Sequence, residues 1–314
     1  LTNIKICIMN RRFFLLLFLF FLQPSFLFSL EPGQSDSLTA NQKDSLIFAE
    51  APWETKIIHF GGIMLRQYAF SDSSLFNSNQ TISVLTVRNN FRFDIVADTT
   101  LVLTKDFVEF AQALAGINGS FFAWDAPWKS VNYLRVNGSE LAPNRLNEKG
   151  LRSFHQSGCL VVSAKGRVSI HKVPDTLMTR GETNDWEKTL TGEDVLSSGP
   201  VLRIQGKDEM LLDNSFNLTR HPRTAIGIRK GGWVVLVVVD GRAEEAAGMT
   251  MEELQHIMRW LKSWDAINLD GGGSSTMCVR KNLRQPVQTV NHPSDNRLFD
   301  HQGDRKVANA LIVQ

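Results

Sequence analysis

The chain has 314 residues, 43% of them hydrophobic and 21% charged, a composition with ample material for a globular core of one large or two smaller domains. Its formal net charge of +2 gives no global field for nucleic acid, and no basic stripe supplies a local one. No repeat at a solenoid period is present.

The N-terminus reads as a secretory signal. Arg11 and Arg12 precede an apolar run from Phe13 to Leu22, which Gln23 and Pro24 interrupt before it reaches the ~20 apolar residues of a membrane span. Leu27-Phe28-Ser29 offers a cleavage site, and residues 1–8, ahead of Met9, read as an over-extended start. Removing residues 1–29 deletes Lys5, Arg11 and Arg12 and no acid, taking the balance from +2 to −1. The expected product is an exported protein, periplasmic or secreted, that meets the membrane only through its signal segment. Residues 30–52, polar and rich in Ser, Asp and Gln, read as a flexible leader. The folded domain is expected over residues 53–314.

Beyond Trp53, β-rich runs dominate. Ile82–Arg88 and Phe91–Ala97 flank Asn89-Asn90, which reads as a two-residue hairpin turn because Asn tolerates positive φ. Asn137-Gly138, Lys165-Gly166 and Gly231-Gly232 read the same way. Val234–Val239 is apolar on both faces and predicts a central strand covered on both sides. Helical spacing of Phe107, Phe110, Ala111 and Leu114 predicts a helix over Lys105–Ala115. Thr250 and Glu253 form a capping-box pattern ahead of the stripe Leu254, Ile257, Met258 and Leu261, predicting a second helix over Thr250–Lys262. Few helices among antiparallel hairpins argue for an α+β fold, a strand-rich mixed sheet with a few packed helices.

Cys159 and Cys278 lie within the mature chain, where one disulfide and two buried thiols are both open. No Cys-x-x-Cys pair or histidine spacing suggests a metal site, and neither metal nor cofactor is expected. No Gly-x-Ser-x-Gly elbow points to a serine hydrolase.

Chemistry concentrates in a few runs. Asn268-Leu269-Asp270-Gly271-Gly272-Gly273-Ser274-Ser275 ends an apolar strand in an acid, three glycines and two hydroxyls. Glycines let backbone N–H groups approach a ligand, so the run is a candidate anion nest as well as a candidate tight turn. It lacks the Lys of a nucleotide phosphate loop. At the end of the central strand, Asp240-Gly241-Arg242 delivers an acid and a guanidinium, and Arg suits phosphate oxygens. Asn118-Gly119-Ser120-Phe121-Phe122, His221-Pro222-Arg223-Thr224 and Asn291-His292-Pro293-Ser294-Asp295, the last followed by Arg305, are weaker signals that each also serve as ordinary turns.

Taken together, these runs resemble the phosphodiester glycosidase family. The resemblance rests on Asn118 to Phe122, Ser198-Gly199-Pro200, Pro222 to Gly227, Val239 to Arg242, Gly248 to Leu254, Asn268 to Thr276 and Arg305 to Leu311, which occur in the family's order across about Gly116 to Val313. Many relatives carry Gly where Ser120 stands. The resemblance implies cleavage of a sugar, N-acetylglucosamine or another, from an anomeric phosphodiester, with a phosphorylated glycan as partner. In that scheme Asp270 and Asp240 form the acidic pair, and Asp270 serves the sugar carbon. Arg223 and Arg242 hold the phosphate, the Gly271, Gly272, Gly273, Ser274 and Ser275 run donates to it, Asn118 contacts sugar hydroxyls, and Gly119, Ser120 and Arg305 complete the substrate-binding set. Two rivals stand beside it: a glycan-binding protein using Trp124 and Trp128 as stacking platforms, and a phosphodiesterase that breaks P–O.

Overall fold

The computed structural model describes residues 38–179 and 185–314, and every element below belongs to Thr39–Gln314. The expected signal segment lies outside the described residues. Three antiparallel sheets carry the fold. The largest has eight strands, in the order Glu54–His59, Ile63–Leu75, Ser78–Val87, Val234–Val239, Arg223–Arg229, Ser263–Asn268, Val201–Ile204 and Lys207–Asp208. A five-stranded sheet is centred on Asp194–Ser198, between Leu134–Val136 and Gly158–Val162. Another is centred on Ala115–Asn118, between Met277–Val279 and Lys306–Val313. The α+β reading holds.

Val234–Val239 lies inside the large sheet with every residue buried. Alternation along it separates two cores. Val234, Leu236 and Val238 face a core to which all three sheets contribute, with Phe93, Ile117, Leu196 and Leu311 among its members. Val235, Val237 and Val239 face the helix Met251–Trp260 through Leu254, Ile257 and Met258. That helix begins at Thr250 with the expected reciprocal capping box to Glu253.

The turns at Asn137-Gly138, Lys165-Gly166 and Gly231-Gly232 each join paired strands. Asn89-Asn90 does not. Ser78–Val87 is already paired on both edges, with Ile63–Leu75 and Val234–Val239. No edge is left for the following strand, so the chain crosses to another sheet, where Phe93–Leu103 pairs with Lys306–Val313. The helix expected over Lys105–Ala115 is shorter, Thr104–Phe110, and Gln112 at φ 51° turns the chain into the next strand. The segment read as a leader contains a helix, Ala40–Glu50, with a capping box between Thr39 and Gln42. Its Phe48 is buried against Trp53, Phe70 and Trp260.

Cys159 and Cys278 sit in different sheets as buried free thiols, and burial pushes both well above the ordinary thiol range. Among the described residues, no helix is long and apolar enough to cross a membrane.

Leu254 is fully buried between the capped helix and the large sheet. Leu254→Ala is expected to cost about 2–5 kcal/mol in urea unfolding. A loss below about 1 kcal/mol would show that this face is not a packed core.

Candidate active site

The strand Ser263–Asn268 runs between Arg223–Arg229 and Val201–Ile204 and leads two residues on to Asp270. Asn118, at the end of the neighbouring sheet's central strand, fixes that end. Its Nδ2 donates to the Asp270 carbonyl at 2.7 Å, while the Asp270 N–H donates to the Gly119 carbonyl at 3.0 Å. Its Oδ1 accepts from Thr224 Oγ1 at 2.8 Å and from the Thr276 N–H at 3.1 Å. One fully buried amide thereby joins two sheets and holds both flanks of the Asp270 turn. Ser120 is equally buried, its hydroxyl donating to the Ser197 carbonyl at 2.6 Å. Asn118, expected at the sugar hydroxyls, is thus buried behind the site together with Gly119 and Ser120, and none of the three lines the cavity described below.

The glycine run is spent in a similar way. Gly271 N–H is held by the Asp270 carboxylate at 2.9 Å and Gly272 N–H by the Pro222 carbonyl at 2.8 Å. The Ser274 and Ser275 amides donate back to Gly271 and Gly272. Ser274 and Ser275 are themselves buried. Four of the run's five amides are thus held within the protein, and the run also clears space for cations. Gly272 sits at φ 62°, and a Cβ there would lie 2.9 Å from Arg242 Nη2. A Cβ on Gly273 would lie 2.5 Å from Arg305 Nη2 and 2.7 Å from Asp295 Oδ1.

These residues line a cavity of about 210 Å³. Arg223, Arg242 and Arg305 surround it, and Asp270 is its carboxylate. Arg223 is buried, gives Nε to Met249 and Nη2 to Phe216 and Thr219 carbonyls, and lies over the Phe216 ring at 4.7 Å. Burial lowers it to about 10, with Arg242 adding to the effect, so it stays charged at neutral pH. Arg242 is exposed on a left-handed backbone at φ 65°. Among the described residues neither Arg223 nor Arg242 has an ion-pair partner, whereas Arg305 is paired with Asp295 through Nε at 3.0 Å. Three guanidiniums against Asp270 and Asp295 leave the cavity net positive, which suits an anion.

Asp270 has its carboxyl raised to about 6. Desolvation is the main cause, offset in part by the Ser274 hydroxyl, the Gly271 N–H, Arg305 and Arg242.

Asp240 stands elsewhere. It is buried, and its carboxylate accepts from Asn291 Nδ2 at 2.9 Å, His292 N–H at 3.0 Å and His292 Nδ1 at 2.9 Å. Asn291 also donates to the Ser275 carbonyl at 3.0 Å. The expected acidic pair is thus not assembled in one cavity. Asp240 anchors the segment that leads on to Arg305. Phe216 and His221 line the cavity as well. His221, lowered by burial and by Arg223 and Arg242, lies in a run that the sequence marked only weakly. Phe216, on the one-turn helix Ser215–Leu218, carries no motif at all.

A strand-rich α+β scaffold thus holds one raised carboxylate beside two guanidiniums without ion-pair partners among the described residues. The chain belongs to the phosphodiester glycosidase family, whose sequence model matches residues 111–314. It is 32% identical over 106 residues to the SPbeta prophage-derived uncharacterized protein YomE of Bacillus subtilis, covering 29% of this chain and 16% of that protein. It is 35% identical over 74 residues to the mouse N-acetylglucosamine-1-phosphodiester alpha-N-acetylglucosaminidase, covering 24% of this chain and 13% of the mouse protein. The matched segments thus span less than a fifth of either relative's length. In fold, the chain matches the catalytic domain of the zebrafish enzyme of the same name with a TM-score of 0.59 at 15% identity, over 85% of each chain. A hypothetical protein from Synechocystis matches with a TM-score of 0.57 at 14% identity, over 84% of this chain and 64% of that one.

A raised carboxyl has a signature in stability. Asp270 binds its proton more tightly in the folded state than the unfolded value of about 3.9. The stability this gives is fully present below pH about 4 and is lost as pH rises through about 6. Between pH 4 and pH 7.5, Asp270→Asn should therefore gain up to about 3 kcal/mol on the wild type in denaturant unfolding. A pH-independent difference between the two would contradict the desolvation of this carboxylate.

Proposed function

We propose that the protein hydrolyses sugar-1-phosphodiesters by breaking the anomeric C–O bond. The observation that carries this reading is Asp270, a carboxylate raised to about 6, set among Arg223, Arg242 and Arg305. The guanidiniums hold the diester phosphate and stabilise the charge that grows on it as the bond breaks. The departing group is a phosphate monoester with a second pKa of about 6, so it leaves without the proton that an alcohol needs. That matches a cavity with one available carboxylate where ordinary glycosidases need two.

Asp270 acts at the sugar carbon, either attacking it or taking a proton from a water that does. The anomer of the first sugar released, read by proton NMR, separates these: retention means attack by Asp270, and inversion means an activated water. The names of the mouse and zebrafish relatives suggest N-acetylglucosamine as the first sugar to test. Export is part of the proposal, supported by the basic and then apolar start of the chain.

Asp270 must be ionised to act, so kcat/KM should rise tenfold per pH unit up to about 6 and then level off. Asp270→Asn should lower kcat by at least about 10³-fold, while the fold, read by circular dichroism, is retained. An acid limb near pH 4, or near-normal turnover in the variant, would remove Asp270 from the mechanism. Binding without turnover in the wild type would leave a glycan-binding protein.

A further inference from the structure

Phe216 lines the cavity over Asp270, and the next residue, Asn217, lines a separate one of about 310 Å³. Phe154, in the lining of that second cavity, packs on Phe216 with ring centroids 4.6 Å apart. One pair of aromatic rings therefore joins the two linings. Arg223 lies over the same Phe216 ring and donates to the Phe216 carbonyl. A phosphate held by Arg223 thus has its ester group beside Phe216.

The second cavity is largely apolar, with Phe154, Val173, Met178, Val201, Met210 and Leu212 in its lining. Its charged groups are Lys172, Asp175 and Glu209, and Lys172 pairs with Asp175 at 2.9 Å and with Glu209 at 2.7 Å. Two acids against one lysine leave a negative balance, which turns a phosphate away and leaves the space to an uncharged group. Met210 is 91% exposed, and Leu212 and Leu218 are exposed in the same short stretch. The backbone there is tied down. Glu209 N–H donates to the Leu202 carbonyl at 3.0 Å, Gln255 Nε2 to the Glu209 carbonyl at 2.8 Å, and Asn217 Nδ2 to the Leu212 carbonyl at 2.7 Å. Large apolar side chains are so held in water at the rim of an apolar cavity, an arrangement that a buried hydrocarbon stabilises.

We propose that this cavity takes the hydrocarbon chain of a lipid alcohol esterified to the phosphate, so that the substrate is a lipid-linked sugar-1-phosphate. The phosphate stays among the arginines, and the chain crosses the Phe216 and Phe154 rings into the apolar space. On hydrolysis the sugar takes the hydroxyl of water, and the alkyl phosphate leaves with the bonding pair of the anomeric C–O bond. The assignment rests on the glycosidase reading above, and its test separates the two.

Octyl phosphate and methyl phosphate, compared by titration calorimetry below the micellar concentration, read the cavity without chemistry. Each buried methylene contributes about fourfold, so octyl phosphate is expected to bind the wild type at least about 100-fold more tightly than methyl phosphate. The double variant Met210→Asp/Leu212→Asp, at exposed positions, should cut that ratio at least about tenfold, and Met210→Leu/Leu212→Met should keep it. For turnover, the ratio of kcat/KM for an octyl over a methyl diester of one sugar should fall about tenfold in the aspartate variant, through KM. Equal affinity for the two phosphates, or a ratio that the aspartate variant leaves unchanged, overturns the subsite. Chain-dependent binding that the variant removes, with every diester left intact, keeps the subsite and removes the hydrolase reading. Hydrolysis with equal kcat/KM for octyl and methyl diesters does the reverse.

Discussion

The site depends on one buried amide. Asn118 spends both ends of its side chain on joining two sheets, and the peptide it grips most closely is that of Asp270. A backbone held on both flanks by a fully buried residue cannot drift. The carboxylate therefore faces the cavity without a partner strong enough to keep it at the usual acidity. Where an exposed acid would solvate itself, desolvation raises this one to about 6.

The glycines follow from the same constraint. With Asp270 fixed, Arg242 comes close to Gly272 and Arg305 to Gly273, where the missing Cβ leaves the guanidiniums room. Asp240 and Asn291 complete the arrangement at one remove. They fasten the segment that begins at Asn291 to the Gly-Ser turn, and Arg305 arrives at the end of that segment. Charge is thus delivered to the cavity by three separate parts of the chain.

Much of this was legible in residue types. Val234–Val239 announced a central strand because both faces were apolar, and Thr250 with Glu253 announced a helix because an apolar stripe followed. Thr39 and Gln42 form the same capping box, but without a stripe behind it the helix Ala40–Glu50 went unread. Asn89-Asn90 misled because a turn signal says nothing about which edges remain free for pairing. In the site, several of the motifs fall around one cavity, whose lining does not include Asn118 or Asp240. Asn118 and Asp240 have the chemistry of ligand-binding groups, and only burial and partners show that they position others. Phe216 could not be found at all, since nothing local ties a one-turn helix to Arg223.

The central claim is that Asp270 works on a sugar carbon and the arginines on a departing phosphate. Hydrolysis of a sugar-1-phosphodiester in ¹⁸O-labelled water, followed by mass spectrometry of both products, tests it most directly. The account predicts the label in the released sugar and none in the phosphate monoester. Label in the phosphate would mean that P–O is the bond broken and would contradict the role given to Asp270.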